Sequence, residues 1–184
     1  RQRMAAFAGQ PYQPPQTARF DDDGRMRLTE WQTLAPGKAD SQAVSPVVAD
    51  DGSRVFRLAA DPDKNSTSLQ KRVLLPPGLY RFEARVRTRS VSGPGAGLGF
   101  ESGRRGQRFE EGDVKIQRVT GTHEWTSISR EISLQARDGG GRRRPGEGRG
   151  NGGDSSREVL LHAELLGQAG IAEFDPEAFV LLKR

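Results

Sequence analysis

The sequence predicts an all-β sandwich of two antiparallel sheets with few or no helices. Three observations carry this. Apolar residues come in short runs separated by turn-forming clusters, the pattern of many short strands. Tyr80, Phe82, Ala84 and Val86 alternate strictly with Arg81, Glu83, Arg85 and Arg87, the period of a strand with one buried face. No long segment shows the 3.6-residue period of an amphipathic helix.

Residues 1–18 are rich in Pro, Gln and Ala. Pro11, Pro14 and Pro15 keep this stretch extended and out of a helix. It reads as a linker or the end of a preceding domain, with the sandwich spanning 19–184. Met26 to Thr33 is a weak strand. Val55 to Ala59 is a clearer one, reached through the tight-turn signal Asp50-Asp51-Gly52. In Ser68 to Leu75, Leu69, Val73 and Leu75 face the core, and Gln70 and Arg72 face away. The turn Pro76-Pro77-Gly78 makes this run the expected hairpin partner of residues 79–88. Gly97 to Glu101 and Val114 to Val119 are weaker strands. In Trp125 to Leu134, Ile128, Ile132 and Leu134 share a parity that Trp125 lacks, which predicts a bulge or bend just after the Trp. Residues 138–156 (DGGGRRRPGEGRGNGGDSS) offer nothing to bury and many glycines to order, so a disordered insertion is expected there. Val159 to Leu165 alternates again. The closing strand, Phe174 to Leu182, breaks near Pro176.

Composition narrows the function classes. The 184 residues are enough for one core plus some surplus. Only 33% are hydrophobic, and 23 are glycine, so part of the chain is expected outside the core. The absence of cysteine excludes disulfides, a thiolate nucleophile and a Cys-based zinc site. No apolar run approaches the ~20 residues of a membrane span. The first seven residues are too short and polar for a signal-peptide core. The chain begins with Arg, so it reads as a piece of a longer protein. The net charge of +5 brings nucleic acid and anionic polymers into view. The two histidines, His123 and His162, lie near no nucleophile elbow, metal-type pair or phosphate loop. The expectation is a protein that is not an enzyme.

Four phrases then fall in order. They are Asp51-Gly52-Ser-Arg-Val-Phe-Arg-Leu58, Gln70-Lys-Arg-Val-Leu-Leu-Pro-Pro-Gly78-Leu-Tyr80-Arg-Phe82, Gly121-Thr-His-Glu-Trp125-Thr, and Gly170-Ile-Ala-Glu-Phe174-Asp175. Together they resemble the galactose-binding-like jelly roll of carbohydrate-binding modules, in the group represented by families 4, 9 and 22. The resemblance covers roughly Phe20 to Leu182. It implies a non-catalytic module for a polysaccharide, an acidic one included, or a module attaching a larger exported protein to the cell envelope or outside the cell. It also implies a structural calcium held by Asp21, after Phe20, and Asp175, after Phe174. Pro176 departs from that pattern, where the family usually has Asn or another polar residue.

Sugar binding needs an aromatic platform beside polar groups. Trp31, flanked by Glu30 and Gln32 near a Pro-Gly turn, is the open candidate. In the matched motif Trp125 belongs in the core or at its edge. Arg81, Arg85 and Arg87, with Arg89 beyond, would line a cationic groove for an acidic polymer. His162 and Glu164, on the polar parity of their strand, complete the ligand-binding candidates. Two alternatives stand beside this reading. One is a structural or protein-interaction sandwich with no sugar site, using the Pro-rich N-terminal arm for a protein partner. The other is nucleic-acid binding through the Arg/Gly-rich insertion, disfavoured because that segment has no aromatics and interspersed acids.

Overall fold

The computed structural model describes residues 15–34, 41–63, 66–102, 117–135 and 156–184. Among them there is no helix, as predicted. Two long strands, β8 (Gly78–Ser102) and β9 (Arg118–Leu134), form an antiparallel ribbon that runs through both layers of the sandwich.

In the first layer, residues 80–89 of β8 pair with β12 (Val180–Lys183) and β11 (Ile171–Phe174) on one side and with β9 on the other. β2 (Arg25–Arg27) extends from β12. β6 (Arg54–Ala59) extends from β11, and β5 (Val47–Val48) from β6. In the second layer, residues 95–102 of β8 pair with β10 (Arg157–Leu166). β7 (Ser66–Leu75), β3 (Gln32–Leu34) and β4 (Ser41–Ala43) follow in that order. β1 (Gln16–Thr17) runs parallel to β7, while the other pairings are antiparallel. β1 lies inside the stretch read as linker: its backbone completes β7's free edge.

The two layers share β8 because that strand turns a corner. Its register against β9 shifts three times between Val86 and Ala96. Gly95 has φ +101°, and a Cβ there would stand 2.6 Å from the Val119 carbonyl oxygen. Only glycine permits both that φ and that approach. One of the shifts pairs Thr126 with Val86 but His123 with Thr88. The extra residue therefore falls at Trp125 and Glu124 rather than just after the Trp.

The expected hairpin between residues 68–75 and 79–88 does not form. β7 pairs with β10 on one edge and with β1 and β3 on the other. The Pro76-Pro77-Gly78 turn instead carries the chain from the second layer to the first. The Tyr80 hydroxyl donates to the Pro76 carbonyl at 2.7 Å and pins the crossing. Turn residues signal a change of direction; they carry no information on which strand the chain meets next.

Between the layers lies one aromatic cluster. Phe179, in the loop between β11 and β12, has ring centroids of Trp31, Phe174, Phe56 and Phe82 at 4.4, 5.8, 6.2 and 6.3 Å. Burial at 150–250 Å² per ring makes this cluster a major source of stability. The break near Pro176 is real, and it lets Phe179 fold inward. The Pro-rich residues 1–14 and the Arg/Gly-rich residues 136–155 lie outside the described residues.

Candidate functional site

The outer face of the second layer is built by pairing register. Residues directly opposite in a sheet share a face. Leu69, Ala163 and Leu98 point to the core, so their neighbours point out. One cross-strand row is Gln32, Gln70, His162 and Gly99. The next is Ser68, Glu164, Gly97 and Arg118. Gly97 and Gly99 supply a floor with no side chains.

That floor is already used at one end. A Cβ at Gly97 would meet the Arg118 side chain at 3.1 Å, so Arg118 lies across the glycine. Its Nη2 donates to Glu164 Oε1 at 2.6 Å. At Gly99 the described residues leave room: a Cβ would make only ordinary contacts with Glu164 and His162, at 3.8 Å and beyond. The His162 side chain is 12% exposed. Its Nε2 is buried without a hydrogen-bond partner and stands 3.5 Å from Glu101 Oε1. Burial pushes its pKa down, against the opposing pull of Glu101 and Glu164, so the imidazole is neutral at pH 7. Arg72 is bonded to Glu158 at 2.6 Å at the rim. With Arg118 bonded to Glu164 and Glu101 without a cationic partner, the described residues give this face no surplus of positive charge.

The arginine row lies elsewhere, on the outer face of the first layer, and it is not a free cationic groove. Arg87 Nε donates to Glu173 Oε2 at 2.6 Å, and its Nη atoms bind Asp51. Arg57 Nε reaches the other Glu173 oxygen at 2.8 Å. The Arg87 and Glu173 side chains are only 8% and 2% exposed. Hydrogen bonds from Arg87 and Ser53 hold the Asp51 carboxyl well below the usual range. Arg81 meets Glu83 at 3.1 Å, Arg85 meets Asp175 at 3.7 Å, and Arg89 meets Asp50 at 3.1 Å. Glu83 lies on the same strand, but the other acids come from β11, the residue after it and the β5–β6 turn, so alternation along one strand did not reveal them. Trp125 stands on this outer face, half-buried, with the guanidinium groups of Arg87 and Arg85 at 4.8 and 5.6 Å from its ring.

Trp31 is not an open platform. It is 1% exposed and packed in the aromatic cluster. Its polar flanks misled: Glu30 turns outward at φ 58° and leaves the indole facing in. Asp21 and Asp175 do not come together. Asp21 Oδ1 caps its own turn through the amides of Asp23 and Arg25, and Asp175 Oδ1 caps the amide of Glu177. Arg25 is aligned with Arg81 through Leu182, while the Asp175 amide bonds Arg85. Four residues of β8 separate the two levels, roughly 13 Å. Among the described residues, no group of three or more His, Asp or Glu side chains is arranged to hold a metal.

Of the predicted site residues, only His162 and Glu164 stand together on this face. Gln32, Ser68, Gln70, Gly97, Gly99 and Arg118 escaped the sequence reading. One signal was present: Gly95, Gly97 and Gly99 alternate at one parity, which marks a bare sheet face.

No protein-family profile matches the sequence, and no curated protein matches it. Solved structures do. One is TmCBM61 in complex with β-1,4-galactotriose: 17% identity, 86% of this chain, 91% of that chain and a TM-score of 0.43. Another is the CBM22-1 xylan-binding domain from Paenibacillus barcinonensis Xyn10C: 13% identity, 90% of this chain, 88% of that chain and a TM-score of 0.40.

Proposed function

We propose that this chain is a non-catalytic carbohydrate-binding module that holds a neutral polysaccharide over the Gly97–Gly99 floor. One observation carries the reading: two cross-strand rows of polar side chains run up to Gly97 and Gly99, neighbouring positions on one face of β8 that carry no side chain. Gln32, Gln70, Ser68, His162 and Glu164 offer donors and acceptors at fixed spacing, which is what sugar hydroxyls require. The ligand is neutral because Arg118 already has a carboxylate partner and Glu101 would repel an anion. Within a larger exported protein, such a module would serve to attach its neighbours to a glycan surface.

Affinity electrophoresis tests this in gels of xylan, galactan, hydroxyethylcellulose and the acidic polygalacturonate. Retardation is expected in at least one neutral gel and not in polygalacturonate. Gly99→Leu, which fills the floor, should abolish it. Migration unchanged in every gel, or retardation that survives Gly99→Leu, would refute the proposal.

A second reading is a structural or protein-interaction sandwich. Its support is that no aromatic side chain stands on the groove face among the described residues. Unchanged migration in every gel favours it.

A further inference from the structure

The groove holds one polar atom whose bonding the fold leaves open. His162 Nε2 is buried, lacks a hydrogen-bond partner and lies in the middle of the polar row. Burying such a group unpaired is unfavourable, so a ligand that draws the ring outward and supplies the missing bond gains by it.

The surroundings also make the ring sensitive to protonation. Among the described residues, β8 faces it with Glu101 and with Gly99 directly opposite. β10 contributes Glu164 two residues along, and β9 contributes Arg118, which is bonded to that Glu164. From β7 come Gln70 directly opposite, with Ser68 and Arg72 beside it, the latter bonded to Glu158. Among the described residues, one carboxylate here has no arginine or lysine partner. Glu101 is 75% exposed and stands 3.5 Å from Nε2, without hydrogen-bond geometry to the neutral ring.

We propose that His162 makes ligand binding on this face acid-sensitive: neutral, its ring is free to turn Nε2 out to a ligand hydroxyl; protonated, it closes on Glu101 and keeps that atom in. The inference rests on the carbohydrate reading above. The sign follows from the charges. An imidazolium beside Glu101 forms a charge-assisted bond that a neutral sugar must break. Affinity therefore falls as pH drops through the folded pKa of His162, which burial holds below the ordinary histidine value. Once that proton is bound, affinity falls up to tenfold per pH unit.

Two measurements on the whole chain test this. The first is a ligand-free NMR titration of the His162 ring nitrogens. The midpoint should lie below the ordinary histidine value, and Glu101→Gln should lower it further. The second is affinity electrophoresis in the xylan, galactan and hydroxyethylcellulose gels across pH 7.5 to 4.5, with circular dichroism at each pH to verify the fold. Retardation should decline with the midpoint that NMR gives for His162. His162→Gln should bind more weakly and without that decline, and Glu101→Gln should shift the decline to lower pH. Retardation that is present but flat with pH in the wild type overturns this proposal and leaves the carbohydrate reading standing. A His162 midpoint at or above the ordinary value, or one that ignores Glu101→Gln, overturns it too. Unchanged migration in all gels at every pH removes the carbohydrate reading and this inference with it.

Discussion

Glu173→Gln probes the most buried charge among the described residues. Glu173 is 2% exposed and takes one arginine on each oxygen, Arg57 at 2.8 Å and Arg87 at 2.6 Å. The amide keeps the shape and removes the charge. Breaking a buried ion pair from one side costs about 3–5 kcal/mol, because the remaining charge is left in a poor dielectric. Here Arg87 keeps Asp51 and Ser53, and Arg57 is 35% exposed. Those outlets place the loss at the low end, about 3 kcal/mol. For a chain of this size that corresponds to a fall in Tm of about 6–12 °C. Urea unfolding followed by tryptophan fluorescence reads it directly. A double-mutant cycle with Arg87→Met isolates the pair. A loss below about 1 kcal/mol would mean the network is worth no more than surface pairs, and the reasoning from burial would fail.

The same carboxyl sets an acid limit: burial alone would raise its pKa, but hydrogen bonds from Arg87 and Arg57 outweigh that and hold it low. Its stabilisation is present above the unfolded pKa of about 4.3 and is lost as pH falls through the lower folded value. Urea midpoints at pH 6 and pH 3 should differ more in the wild type than in Glu173→Gln. Phe179→Ala removes the ring shared by four others and should cost about 3–5 kcal/mol; a loss under 1 kcal/mol by urea titration would contradict the cluster as the main core. Gly167→Ala puts a Cβ at 1.9 Å from the Ser92 carbonyl oxygen, so expression without soluble product, or a large fall in Tm, is expected; a normal melting curve would refute that approach. Calcium is read in the same thermal scans: a chelator-dependent fall in Tm that Asp175→Ala removes would locate a site at that turn. The register separates the turns, so Asp21→Ala should then leave the difference intact.

The strands were legible because period two is a local property. Tyr80, Phe82, Ala84 and Val86 are buried as their alternation predicts, and so are Val159, Leu161, Ala163 and Leu165. Partner choice was not legible. Nothing near Pro76 says that β7 joins β10 while β8 joins β9, because sheet partners are set by packing across more than 80 residues of chain between Arg72 and Glu158. The site failed to show for the same reason. Arg87 looks solvated in its strand and is neutralised by Asp51 and Glu173, 36 and 86 positions away. Trp31 looks open among polar neighbours and is core, because a single positive φ at Glu30 reverses its flank. The groove was half-legible: His162 and Glu164 stand out within one strand, but Gln70 and Arg118 join them only through register.

Chemical-shift mapping on the labelled chain, titrated with whichever neutral polysaccharide retards it, tests the central claim most directly. Shifts should concentrate on the backbone amides of Gly97, Gly99, Gln70, His162 and Glu164. Shifts gathered instead around Trp125 and Arg85, on the opposite face, or absent from the chain altogether, would contradict it.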